Sequence, residues 1–221
     1  MINYWRHHWY YIGMYGFAAF AFILIFWGDR MERLQVILIA SYMAMIVHQY
    51  EEYAWPGGFP SISNYVSMKG IMDRYPINAN QGWISNVFLT FIFYMIPVFF
   101  PHAIWLGLGQ VLAGVLQLPA HGILINSRLR SFYNPGLGAT VFLQTPIAIY
   151  YIWYVYTQGL ASGAGIYCIG LLTALAGMIF AFGAPILLMK NRESEYPFYE
   201  EECYGFAEKK IREMQKQDGI K

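Results

Sequence analysis

The stretch Ile166–Met189, IYCIGLLTALAGMIFAFGAPILLM, runs for 24 residues without a charged side chain. A helix needs about 20 apolar residues to cross the hydrocarbon core of a bilayer, so this stretch reads as a membrane span. Five more apolar stretches accompany it, at residues 9–27, 34–50, 83–100, 104–125 and 137–156. The sequence therefore predicts an all-α, polytopic membrane helix bundle of about six spans. Composition agrees: the 221 residues are 57% hydrophobic, 19% aromatic and only 12% charged, against about 25% charged in a soluble domain.

The charges are segregated. Eight of the 13 acids lie after residue 190. Residues 1–189 thus read as the membrane domain, and 190–221 as a charged cytoplasmic tail with an amphipathic helix near 206–217, set to lie on the membrane or to dock a partner in a larger membrane complex. Glu200, Glu201 and Glu202 read as a solvated helix turn. Arg6, Lys69, Arg74, Arg128, Arg130 and the basic tail fall on one side of a six-span topology, and only Arg30 and Arg33 on the other. Basic residues favour the cytoplasmic side, so both termini are expected there, in the inner membrane. A net charge of +1 offers no clustered basic face for nucleic acid. Cys168 and Cys203 are expected to stay unpaired. The gap from Tyr53 to Gly82 opens with Trp55-Pro56-Gly57-Gly58 and is read both as a lid or binding loop and as an interfacial helix over 62–72 resting on headgroups.

Ionisable groups inside a membrane are costly and mark function. His48-Gln49-Tyr50-Glu51-Glu52 ends the second stretch. At about 100° per residue, His48, Glu51 and Glu52 share one helix face. An imidazole and two carboxylates make a metal-ligand set or an acid/base pair. The fourth stretch lines up Gln110, Gly114, Gln117 and His121 on one face, a narrow polar seam that should face protein or water, with Arg128 in line if the helix continues. By topology, His48–Glu52, His121, the 130–136 segment, residues 78–86 and His7-His8 all reach one face. His102 stays on the other as an interfacial turn residue. Gly170, Gly177 and Gly183 mark the last span as a packing helix.

With His121 and Tyr133-Asn134-Pro135-Gly136 downstream, the His48–Glu52 motif resembles the HXXEE-domain family of integral membrane proteins, over residues 34–189. That family carries a second histidine and a Tyr-x-Pro-Gly motif. The resemblance implies that these residues matter and that the protein has an enzymatic activity; it names no reaction.

The reading favoured by the residues is a metal-dependent hydrolase acting on a lipid or other amphiphile at the cytoplasmic face. His48, Glu51 or Glu52, and His121 would bind a divalent ion, zinc or iron. The remaining glutamate would be the general base, Tyr133 would donate a proton or an oxyanion hydrogen bond, and Arg128, Gln117 and Asn86 would hold substrate. Asn134, Pro135 and Gly136 also suit a plain helix-starting turn. Two alternatives stand beside this. One is a metal-free, terpene-cyclase-like enzyme, with Glu51 or Glu52 as the protonating acid and aromatic rings around a carbocation. The other is a transporter or accessory subunit, in which the histidines relay protons or ligate haem.

Overall fold

The computed structural model describes residues 1–218. In chain order its helices are α1 (Ile2–Trp27), α2 (Arg33–Tyr53), the short α3 (59–67), α4 (Ala79–Phe99), α5 (Ile104–Leu129), α6 (137–157), α7 (Gly165–Met189), and the short α8 (Glu200–Cys203) and α9 (Glu208–Gln217). Among the described residues there is no strand.

Four of these helices are long and apolar enough to cross a membrane: α1 with its continuation to Arg30, α4, α5 and α7. The chain is a membrane protein, with four candidate spans where six were expected. The two long helices outside this set carry more polar side chains. Helix α2 carries Arg33, Gln35, His48, Gln49, Glu51 and Glu52, and most of its length is buried against other helices. A helix walled in by protein needs no lipid-compatible surface. Helix α6 is diluted by Gln144 and by tyrosines at 150, 151, 154 and 156.

The end of the bundle remote from the motif is an apolar core. Leu34, Leu38, Val98, Leu108, Val111, Ala148, Tyr151 and Val155 pack there. Helices α5 and α7 approach closely because glycine replaces bulk at their contact. A Cβ on Gly170 would lie 2.4 Å from the Leu108 Cβ, and one on Gly109 would lie 2.5 Å from the Thr173 Cγ2. Gly177 likewise takes the Phe93 ring, whereas no side chain of another helix closes on Gly183. Gln110 ties α5 to α2 by donating to the Leu38 carbonyl at 2.7 Å, while its own amide oxygen is buried without a partner.

The opposite end gathers the polar residues. Helix α3 does not rest on a surface: Ile62 and Asn64 are fully buried, which corrects the expectation of a headgroup-bound helix. Asn64 holds the 62–77 loop shut, donating to the Ile77 carbonyl at 2.8 Å and accepting from the Ile77 N–H at 2.9 Å. The tail is not a solvated appendage either. The Ala79 N–H donates to Tyr196 and the Phe198 N–H to Asp73, at 3.0 and 2.7 Å. Ile211 of α9 is buried among Ile62, Tyr65, Val66, Ile125 and Leu129. The amphipathic helix therefore docks on its own chain. Cys168 and Cys203 are both free. His102 pairs with Glu32 at 3.0 Å, exposed, on a turn.

Candidate metal centre

His48 and Glu52 stand one turn apart on the last part of α2. The third member comes from α5, whose turns widen over Pro119–Ile125 so that backbone bonds skip five residues instead of four. Such widened turns recur at functional sites. The widening swings His121 toward α2. Its Nε2 lies 3.4 Å from Glu52 Oε1, and His48 Nε2 lies 3.5 Å from the same oxygen. The two rings are nearly perpendicular, at 85°, with centroids 5.0 Å apart. All three side chains are buried: His48 and His121 are 2% exposed, Glu52 6%.

The other ring nitrogens fix the tautomers. His48 Nδ1 lies 2.9 Å from the Gly136 carbonyl and 3.2 Å from the Thr140 hydroxyl oxygen, whose own proton goes to the same carbonyl. A carbonyl only accepts, so His48 Nδ1 carries the hydrogen. His121 Nδ1 lies 2.6 Å from Asn134 Oδ1. The Asn134 amide nitrogen is already donating to the His121 carbonyl and to Asn126 Oδ1, so its oxygen faces the ring and accepts. Both imidazoles therefore present bare Nε2 lone pairs to a carboxylate oxygen. Three buried acceptor atoms with no donor between them repel one another unless a cation or a proton joins them. The spacing leaves room for an ion, all three of these atoms lying within 4.8 Å of one another. It exceeds a good N–H···O bond of about 2.7–3.2 Å. Donors about 2.05 Å from a tetrahedral ion stand roughly 3.3 Å apart, close to the observed separations. The outer acceptors are also of the kind that orient metal-ligating imidazoles. The residues present fit a divalent ion.

Gly136 is what allows the loop to come this close. Its φ of 98° lies in the left-handed region, and a Cβ there would fall 2.6 Å from His121 Cε1 and 2.8 Å from His48 Cε1. Glu51 is not part of the cluster. Its carboxylate accepts from the Gly138 and Ala139 N–H groups at 2.9 and 2.7 Å and from the Tyr133 hydroxyl at 2.6 Å. It thus caps the first turn of α6, where backbone donors lack partners. Burial first, then the adjacent Glu51 carboxylate, raise the Tyr133 phenol above its ordinary pKa, so it stays a protonated donor. The Phe59 ring, carried on α3, stacks over His121 with centroids 5.9 Å apart.

The expected substrate groups lie elsewhere. Arg128 is exposed and donates to the Ser67 carbonyl. Gln117 lines a small void with Met45, Thr90 and Phe93, because the seam predicted through Gln110, Gly114, Gln117 and His121 loses phase where α5 widens. Asn86 is bonded to Gln49 at 3.1 Å and faces an apolar crevice between α1, α2 and α4. A second buried pair was not foreseen. His7 of α1 meets Glu202 of α8 at 2.6 Å, with Tyr199 stacked on the ring at 3.7 Å. Glu202 is thus no solvated residue, although Glu200 and Glu201 are exposed. Asn134, Thr140 and Phe59 were not singled out as site residues; only the spacing of the Tyr-x-Pro-Gly motif hinted at the first.

The class is thus a membrane-helix protein with a buried centre of two histidines and one carboxylate. The chain matches, over residues 39–151, the family described as "Protein of unknown function with HXXEE motif". It belongs to that family, and the match covers α2 through most of α6, a shorter span than the expected 34–189. No curated protein and no solved structure matches the chain.

Proposed function

We propose that this protein is a membrane-embedded metalloenzyme, a hydrolase acting on a lipid or other amphiphilic substrate. The observation that carries the reading is the convergence of two tautomer-locked Nε2 atoms on one Glu52 oxygen at 3.4 and 3.5 Å. His48, His121 and Glu52 would hold zinc or iron, and Asn134 and Gly136 orient the rings. A bound divalent ion supplies Lewis acidity and a water of pKa about 7. Glu51 is committed to α6, so it is not the general base, and Glu52 is the motif carboxylate left to hold the ion. Tyr133 acts through Glu51, keeping the 133–136 loop in place. The centre lies at the end of α2, beside α5 and the start of α6, and a substrate with its chain in the bilayer would approach it along these helices. The distribution of basic residues supports a cytoplasmic-facing site in the inner membrane, with both termini on that side.

Elemental analysis of protein purified in detergent tests the reading. Wild type should carry near one equivalent of a transition metal, and His48→Ala should carry none while keeping its helix content. A folded wild type that neither retains nor takes up a divalent ion overturns it.

A further inference from the structure

The centre is closed on the side away from the bundle by two layers. The inner one is the Gly57-Gly58-Phe59 turn, which lays the Phe59 ring on His121. The outer one is the chain from Tyr199 to Gln217. The two layers meet backbone to backbone. A Cβ on Gly205 would fall 2.4 Å from the Pro56 oxygen and from the Gly57 carbonyl carbon, and one on Gly58 would lie 3.0 Å from the Gly205 nitrogen. The Phe206 N–H donates to the Gly57 carbonyl at 3.2 Å, and the Ser61 hydroxyl donates to the Cys203 carbonyl. The outer layer also grips the loop that orients the two imidazoles: Phe206 meets Tyr133 edge to face at 4.9 Å, and Lys210 donates to the Arg130 carbonyl at 2.7 Å.

Near residue 198 the attachment is firm: Phe198 is buried and backbone-bonded to Asp73. Beyond it, the segment is held by the buried His7–Glu202 pair, by its bonds to Gly57, Ser61 and Arg130, and by Cys203, Ala207 and Ile211 packed into apolar clusters. We infer that residues 199–217 are a strap over the centre, pivoting at Phe198, and that lifting it frees the Phe59 turn and admits the substrate. The strap also explains why a site fit for an amphiphile is sealed in this conformation: no reactant reaches side chains that are 2% exposed without a local opening. Admission of substrate rests on the proposed function; the strap as cover does not.

The test uses full-length protein in nanodiscs with single-cysteine reporters. The strap reporter is native Cys203 in a Cys168→Ser chain. The centre reporter is the thiol introduced by His48→Cys in a chain lacking both native cysteines. Labelling by a water-soluble maleimide is followed with and without Gly205→Val, whose side chain has no room against Pro56 and Gly57. Both reporters should label slowly with the strap intact, and both should gain at least tenfold in rate with Gly205→Val. Ile211→Asp, which loosens the far anchor, should do the same and decides the matter if Gly205→Val fails to fold or leaves Cys203 closed. If Cys203 opens while the centre reporter stays closed, the strap is not the cover and the inference falls. It falls equally if the centre reporter labels rapidly with the strap in place. The assay involves no metal, so a wild type that binds no ion would sink the proposed function and leave this result standing.

Discussion

Two buried histidine–glutamate groups lie at the same end of this molecule, and they differ in how each carboxylate meets its imidazole. At His7–Glu202 the contact is direct, 2.6 Å, with the Tyr199 N–H adding a second bond to the same oxygen at 2.8 Å. Nothing fits between the partners. At His48–Glu52–His121 the same residue types stand 3.4–3.5 Å apart, and each ring hydrogen points outward to an acceptor. The first group is a strut joining α1 to α8. The second is the group proposed to hold an ion. Buried charge of matching type thus says little until the hydrogen on each ring is placed.

The comparison breaks most sharply on metal content. Glu52→Gln should abolish bound metal, whereas Glu202→Gln should leave near one equivalent in place; equal losses, read by elemental analysis, would erase the distinction. On stability the order reverses. Removing one partner of a closed buried pair costs about 3 kcal/mol or more, so Glu202→Ala should lower the melting temperature in detergent more than Glu52→Gln does. Next in size is the outer acceptor. Asn134→Ala should weaken metal affinity roughly 10–100-fold, measured by competition with a chelating dye, with stoichiometry unchanged at saturation. The smallest effect belongs to the other glutamate of the motif. Glu51→Ala removes a helix cap worth about 1 kcal/mol and should shift affinity only a few-fold. A loss as large as that of Glu52→Gln would return Glu51 to the ligand set.

Much of this was legible in the chain. Apolar stretches located every long helix, and His48, Glu52 and His121 stood out because acids and imidazoles are rare among residues 1–189. Their gathering at one end followed from the alternation of helix direction. Three features were not legible. Helix α2 has a span's length, but its polar residues are tolerated because protein surrounds it, and burial against protein or lipid leaves no separate mark on a single sequence. The angular phase of α5 was lost because a constant 100° step cannot anticipate a widened turn between Gln117 and His121. The division of labour between Glu51 and Glu52 turns on where the first turn of α6 happens to lie, a long-range contact that local periodicity does not encode. The tail was misread for a related reason: Glu202 looks solvated until His7, 195 residues away, is brought beside it.

Of the two groups that orient the imidazoles, one belongs to a side chain and the other to the main chain. Asn134 can be deleted by mutation; the Gly136 carbonyl accompanies whatever residue occupies that position. An alanine scan of the 130–140 loop would therefore report the His121 support and stay blind to the His48 support, except through the collision that any side chain at 136 provokes. Position 136 should thus rank among the least tolerant in a saturation library while having no functional group to lose, and its intolerance should grow with side-chain volume instead of tracking polarity.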